Sequence, residues 1–353
     1  MHIAFVNSTR KWGGVKTWTV DYAVELMARG HRVSAYARQD VFLERLGEAG
    51  ADARRMGFGF DFNPVSILRF LAAFRRNRPD VVVCNIKKDM NIGGMAARLL
   101  GIPVIQRVGM PRDMTDDRGV AFLLKTIRPW MLCPSRSVAD GIRRYMPYFP
   151  EERIKVIHNA KRPAERITPV RPGPLRLVST SQVNEDKGHE FVLEALKDLP
   201  AGSFRYDVVG TGKYLETLRE RYRAMAERGD LVWHGFSTDV AGHLAESDVF
   251  LLPSMSEGMP NALLEAMAAG LIPVARDIGG VREIWPESLA GLMLPAESRA
   301  EAVREVLVEL LGMDRARLDG LKETSLAACR ASFNLPKKID EFERWVRDEV
   351  VGG

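Results

Sequence analysis

DVFLLPS at 248–254, SEGMPNALLEAMAAG at 256–270 and LIPVAR at 271–276 follow one another almost without a break. The first and last are short apolar runs bounded by turn residues, which read as strands buried on both faces. Between them lies a Gly- and Pro-containing loop and then a helical pattern. Strand, loop, helix and strand in this order form the repeating unit of a parallel sheet with helices on both faces.

Working outward, the same alternation continues through LRLVSTS at 175–181, FRYDVVG at 204–210, LVWHG at 231–235 and AGLMLP at 290–295. It also fills the first 160 residues, with IAFVNS at 3–8, HRVSAYA at 31–37, DVVVCN at 80–85, PVIQRV at 103–108, WMLCP at 130–134 and RIKVIHN at 153–159. The helix after WMLCP is expected to start at Ser135, with its hydroxyl as N-cap. Between the two series, AKRPAERITPVRPGP at 160–174 carries four prolines and no apolar period, so the domain boundary is placed there. The expected fold class is α/β, with two Rossmann-like, doubly wound halves. The tail ends in KKIDEFERWVRDEVV, where Ile339, Phe342, Trp345 and Val346 form one apolar face that needs a partner on the same protein.

The chain has 353 residues, 46% hydrophobic and 27% charged, ordinary for a globular protein with two cores. No stretch has the apolar length of a bilayer span, and MHIAFVNS lacks the apolar run of a signal peptide, so a cytoplasmic location is expected. Cys84, Cys133 and Cys329 are isolated and expected as buried thiols, and the six histidines show no ligand spacing, so no metal is expected. Charge is divided unevenly. Residues 1–166 hold 29 Lys and Arg against 16 Asp and Glu, a net of +13, and the remainder nets −8. A basic half suits an anionic lipid surface, a phosphorylated substrate or nucleic acid, and a solvated arginine-rich face explains it equally well.

Ligands of open parallel sheets sit outside the carboxyl ends of strands. Three loops qualify. In NSTRKWGGVKTW at 7–18, Gly13 and Gly14 precede a helix and would let backbone amides approach an anion. The loop is no GxGxxG fingerprint, and a glycine pair after a strand is often only a turn. In SEGMPNALLEAMAAG, Pro260 is expected in the first turn of the helix, with amides from Gly258 to Ala262 aimed at a phosphate. Glu257 before that helix and Glu265 within it can serve two hydroxyl-bearing parts of one ligand. A carboxylate flanked by Leu263, Leu264, Ala266 and Met267 needs a partner or exposure. In NEDKGHEFVLEAL at 184–196, Lys187 opposes the helix dipole near a helix start, which suggests that it faces an anion; the alternative is a solvated surface lysine.

With these residues on view, the chain resembles the retaining glycosyltransferases of family 4, with the GT-B fold. The likeness spans essentially the whole chain: the Gly-Gly turn, IKVIHNA at 154–160, Lys187-Gly188, GTG at 210–212, HG at 234–235, the paired glutamates and DIGGVREI at 277–284. It implies an acceptor-binding domain over 1–165, a sugar-nucleotide-binding domain over 166–335 facing it across a cleft, and a helix over 336–353 that crosses back to the first. It implies a retaining, metal-independent transfer of a hexose or N-acetylhexosamine from a nucleoside diphosphate sugar, with UDP the expected carrier and no cofactor. The acceptor would be a cell-envelope glycan or glycolipid of lipopolysaccharide-core or lipid-linked type. Lys187 and Glu257 take the catalytic roles. Glu257 would meet the donor hexose and Glu265 the ribose, with Gly258, Met259, Pro260 and Asn261 holding sugar and phosphate. His234 and Gly235 would lie near the base, and Gly13, Gly14 and Gln182 complete the donor site.

Two positions depart from the family pattern. Where many members carry an arginine five or six residues before the lysine, this chain has Gln182 and Ser181, so Lys16, Arg282 or Arg107 is expected to supply charge. Where many carry a histidine after the PVI-type strand, PVIQRVGM places Gly109, and Lys16, Asn85, Arg107 and Asp113 become the acceptor candidates. RRNR at 75–78 and IKKD at 86–89 could touch phosphorylated acceptors or an anionic inner-membrane face, giving peripheral membrane contact. The alternatives are another GT-B enzyme, such as a sugar-nucleotide epimerase or a phosphorylase, and a nucleic-acid-binding protein using the basic half. The first lacks a recognisable PLP lysine for phosphorolysis, and the second lacks any nucleic-acid motif.

Overall fold

In the computed structural model the apolar runs VVVC at 81–84 and VFLL at 249–252 are buried along their whole length. Alternate residues serve opposite faces. Val249 and Leu251 join one core cluster, and Phe250 and Leu252 join another. The structure describes residues 1–114 and 118–352. Two compact units result: Met1–Asn159 together with the stretch from Pro336 onward, and Ala160–Leu335.

The first unit runs β1 (His2–Asn7), α1 (Gly14–Ala28), β2 (Arg32–Ala37), α2 (Asp40–Glu48), β3 (Asp52–Arg55), α3 (Pro64–Asn77) and β4 (Val81–Cys84). It continues with α4 (Lys87–Asp89), a π-helical turn at Met90–Gly94, α5 (Met95–Leu99), β5 (Val104–Arg107), α6 (Arg118–Ile127), β6 (Trp130–Cys133), α7 (Arg136–Tyr145) and β7 (Ile154–Val156). Its described strands form one parallel sheet in the order β3-β2-β1-β4-β5-β6-β7. Ser135 caps α7 as expected, its hydroxyl accepting from the Val138 amide.

The second unit runs β8 (Leu175–Thr180), α8 (His189–Leu196), β9 (Phe204–Val209), α9 (Leu215–Arg221), α10 (Arg223–Glu227), β10 (Leu231–Gly235), α11 (Val240–Ala245) and β11 (Val249–Leu252). Then follow α12 (Asn261–Ala268), β12 (Ile272–Arg276), α13 (Val281–Ile284), β13 (Met293–Leu294), α14 (Ala300–Leu311) and α15 (Arg315–Ser332). The sheet order is β10-β9-β8-β11-β12-β13, again parallel. The proline-rich stretch is not a free linker. The Ala164 amide donates to Ala268 O, and the Val170 amide to Asp319, so two of its backbone amides are tied to α12 and α15.

The final helix, α16 (Leu335–Trp345), has the apolar face read from the sequence, and that face is covered. Phe342 packs edge-on against Tyr22 of α1 with ring centroids 5.4 Å apart, and Trp345 against Trp130 at 6.1 Å. The three cysteines are buried and free. Among the described residues no helix is long and apolar enough to cross a membrane.

Candidate active site

In the second unit the chain leaves β8 toward β9 and β10 on one side, whereas β11, β12 and β13 lie on the other. Where the winding direction reverses, the loops after β8 and β11 diverge and open a crevice at the strand ends. Lys187 lies in the loop after β8 and Glu257 in the loop after β11. The two meet there, Lys187 Nζ standing 2.8 Å from Glu257 Oε1. Both side chains keep partial exposure, 22% and 16%.

The two loops are locked by backbone contacts. Met255 N–H donates to Asp186 O at 2.8 Å. Gly188 adopts a left-handed conformation, and a Cβ there would stand 2.2 Å from Pro253 O, so no other residue lets the loop lie this close to the end of β11. Gly279, also left-handed, packs on the far side of the Glu257 loop, where a Cβ would fall 1.7 Å from Glu257 O. Lys187 itself ends a 3-10 turn, and α8 begins only at His189. Gln182 anchors the same loop by accepting from Asn184 Nδ2 at 3.0 Å. Beneath it His189 is buried, its Nε2 lying 2.9 Å from Ser181 Oγ and 3.2 Å from Gln182 O. Burial pulls the His189 pKa down to about 4.

Pro260 is the N-cap of α12, not a residue of its first turn as the sequence suggested. Its extended ψ of 110° turns the chain into the helix, and its carbonyl accepts from Leu264 N–H. Gly258, Met259 and Asn261 line the approach to that helix end, where the positive end of the peptide dipoles favours an anion. Glu265 lies one turn further on, and its carboxylate has a partner that sequence reading missed. Lys161 Nζ sits 2.7 Å from Glu265 Oε1, with the two side chains 10% and 24% exposed. Two other features went unread: the Thr180 and Ser254 hydroxyls, at the ends of β8 and β11, are buried without a hydrogen-bond partner among the described residues.

His234 and Gly235 lie at the end of β10, two strands from β8. His234 pairs with Asp207 of β9 and lies against His243, with ring centroids 4.4 Å apart and the rings tilted by 58°. They stand two strands away from the Lys187–Glu257 pair and form a separate group along the same edge. Arg282, offered as a second cation for the diphosphate, has a counter-charge of its own. Its guanidinium is bound to Asp277, its neighbour at the end of β12.

In the first unit the corresponding reversal falls between β1 and β4. Gly13 is the extended N-cap of α1, Gly14 its first residue, and a Cβ on Gly13 would meet no atom within 4 Å. Two of the acceptor candidates have side chains turned into the fold. Lys16 is 1% exposed and points inward, with Nζ donating to Thr9 O and Lys11 O at 3.0 Å and to Gln39 Oε1. An ammonium has three hydrogens, and all are used, two by the β1–α1 loop and one by Gln39 ahead of α2. Burial lowers its pKa to about 8. Asn85 is also buried, with Nδ2 donating to Val6 O at 3.0 Å, so its side chain ties β4 to β1. Arg107, at the end of β5, is buried over the Trp18 ring and within 3.4 Å of Asn159 Oδ1, and desolvation lowers its pKa to about 10. Asp113 accepts from the Gly109 and Met110 amides at 2.9 and 2.7 Å, shaping the loop after β5. Among the described residues no three His, Cys, Asp or Glu side chains converge as a metal site.

Comparison with known proteins gives this geometry a lineage. Residues 12–161 match the sequence model of Glycosyltransferase Family 4, and residues 174–312 that of Glycosyl transferases group 1. A putative colanic acid biosynthesis glycosyltransferase, WcaL, of Salmonella typhimurium is 33% identical over 46% of this chain; the match spans 43% of that relative, less than half its length. An Escherichia coli UDP-Gal:alpha-D-GlcNAc-diphosphoundecaprenol alpha-1,3-galactosyltransferase is 24% identical over 81% of this chain and 80% of its own. Among solved structures, Anabaena HepE in complex with UDP and glucose superposes with a TM-score of 0.83, covering 98% of this chain and 99% of its own at 16% identity. That likeness establishes the fold, two parallel-sheet Rossmann-like halves of GT-B type. The two matched segments fall one in each half, with the Gly-Gly turn in the first and the Lys187 and Glu257 loops in the second, and the chain therefore belongs to the family 4, group 1 glycosyltransferases.

Proposed function

We propose that this protein transfers a hexose or N-acetylhexosamine from a UDP-sugar to a cell-envelope glycan or glycolipid, with retention of anomeric configuration and without a metal ion. The observation that carries the reading is the Lys187–Glu257 pair at the strand-order reversal of the second unit. A cation and a carboxylate held side by side suit a ligand with both a diphosphate and a sugar. The diphosphate takes Lys187 and the amides opening α12, the hexose hydroxyls take Glu257, and the ribose takes Glu265. The E. coli relative, by name, uses UDP-Gal and a diphosphoundecaprenol-linked acceptor, and the HepE crystals hold UDP and glucose. Both favour a uridine carrier.

In the proposed step the bond from the sugar C1 to the β-phosphate oxygen breaks, and a bond from the acceptor oxygen to C1 forms on the same face. The acceptor proton moves to the departing β-phosphate. Charge builds on that phosphate as the bond stretches, so Lys187 and the helix dipole lower the barrier by stabilising it. A calorimetric screen of UDP, GDP, ADP and CMP and their sugars, with and without EDTA, tests this on the wild type and Glu265→Ala. EDTA-insensitive binding of UDP, weakened in the variant, is expected; binding of none of the four would remove the sugar-nucleotide reading.

A specific surface supports the membrane side of the proposal. Helix α3 buries Ser66, Phe70, Phe74 and Asn77, and its opposite face exposes Val65, Leu68, Arg69, Arg75 and Arg76. Phe60 and Phe62 precede it, and Phe60 and Leu68 are 66% and 64% exposed. Apolar side chains beside arginines suit the headgroup layer of an anionic bilayer. Co-sedimentation with vesicles containing phosphatidylglycerol should fall when Arg75, Arg76 and Arg78 are changed to Glu. Unchanged binding would remove this part of the reading.

A further inference from the structure

The second unit meets the rest of the chain at two peptides, Asn159–Ala160 and Leu335–Pro336. Beside both stands Lys161. Its amide donates to Phe333 O and its carbonyl accepts from the Leu335 amide, each at 3.0 Å, and it forms a parallel bridge with Asn334. The entering and leaving strands are thus stitched together at this one residue, which fixes its Cα from two directions. From that fixed point the side chain reaches Glu265, 2.7 Å away.

We infer that Lys161 is a positioning residue of the nucleotide site, which holds the Glu265 carboxylate in place for the ribose hydroxyls of the donor. This deepens the proposed donor site and rests on it. Glu265 lies on α12 between the buried Leu263, Leu264, Ala266 and Met267, and its own side chain is 24% exposed, so its carboxylate can turn either to Lys161 or to water. Without a neighbouring cation, a carboxylate close to a bound diphosphate would repel it and rotate toward water. With Lys161 in place the carboxylate is neutralised and its direction set. Each glutamate of the pair then has its own lysine, Glu257 with Lys187 and Glu265 with Lys161. Lys161 touches no reacting atom in this scheme.

The test compares UDP with 2′,3′-dideoxy-UDP by calorimetry on wild type, Lys161→Met, Lys161→Arg and Glu265→Ala, with melting temperatures as a check on folding. The wild type is expected to prefer UDP. Lys161→Met should lose about tenfold in UDP affinity while its affinity for the dideoxy ligand stays nearly constant. Lys161→Arg, which keeps the charge, should recover part of the preference. Equal loss for both ligands in Lys161→Met, or no loss, would overturn the inference. If Glu265→Ala keeps the wild-type preference for UDP, the ribose assignment itself is wrong, a result distinct from failure at Lys161. Binding of neither ligand to the wild type would overturn both.

Discussion

Lys187 and Glu257 hold each other at 2.8 Å from loops that follow adjacent strands, β8 and β11, and each is the other's counter-charge. A diphosphate entering this place must share Lys187 with the glutamate or displace it. Removing the carboxylate and removing the ammonium are therefore predicted to act in opposite directions on nucleotide binding. Glu257→Gln should bind UDP as well as or better than wild type while turnover of the UDP-sugar falls on the order of a hundredfold. Lys187→Met should weaken UDP binding about tenfold or more. Calorimetry with UDP, set beside steady-state rates, checks both. Equal weakening of UDP binding in the two variants would mean that the pair is a strut between loops.

Two glycines, one in each unit, should behave differently. Gly279→Ala places a Cβ 1.7 Å from Glu257 O at a φ of +51°, so the Glu257 loop must move. Loss of UDP-sugar binding is expected, with a melting temperature lowered by a few degrees because the strain is local. Gly13→Ala meets nothing within 4 Å, and the residue is fully extended, so stability should be unchanged. If ligand amides are presented there, the variant should still lose activity. Full activity in Gly13→Ala would remove Gly13 from the donor site.

The contrast shows where the sequence was readable. The run from Asp248 to Arg276 announces strand, loop, helix and strand because its apolar residues change period at Pro and Gly, and the structure follows it to within about two residues. Pro260 differs by one position because a proline suits both the N-cap and the first turn. Strand β3, Asp52–Arg55, carried no signal. It is a charged edge strand, recognisable only through its pairing with β2. The partner of Glu265 was invisible for another reason, since Lys161 lies far away in sequence and in a stretch read as linker. The direction of Lys16 was not legible because charge alone does not reveal which way a long side chain points; three acceptors in the β1–α1 loop and at Gln39 decide it.

That inward lysine gives its own prediction. Lys16→Met removes three hydrogen bonds from a side chain that is 1% exposed, leaving the carbonyls of Thr9 and Lys11 and the amide oxygen of Gln39 without their shared donor. The variant also sheds the burden of a buried charge, so the net loss of stability should be moderate, about 1–3 kcal/mol. Hydrogen exchange at residues 9–13 should quicken by more than in the rest of the unit. Uniform change across the unit, or none, would contradict a loop-clamping role.

Acid should act on the stability of the second unit through His189. The imidazole is 1% exposed, and its Nε2 faces the Gln182 carbonyl, which favours a neutral ring with the hydrogen on that nitrogen. Its pKa is about 4 in the fold, against 6.5 for an ordinary histidine, because burial penalises the charged form. Between those two values the unfolded chain takes up a proton that the folded one refuses. Stability from this group is therefore complete above about pH 6.5 and is lost as pH falls toward 4, by on the order of 3 kcal/mol in all. Asp89 opposes this in part, since burial raises its pKa to about 7 and stabilises the fold at lower pH. A single wild-type curve would mix the two, whereas the difference between wild type and His189→Gln isolates the histidine, because Asp89 lies in the other unit and its contribution cancels. Urea melts of both proteins from pH 7.5 to 4.5 should converge as pH falls. UDP binding by the folded protein should respond to His189 only as pH nears 4, where the ring beneath the Lys187 loop takes up its proton. Curves that stay parallel throughout would show that His189 does not titrate with folding.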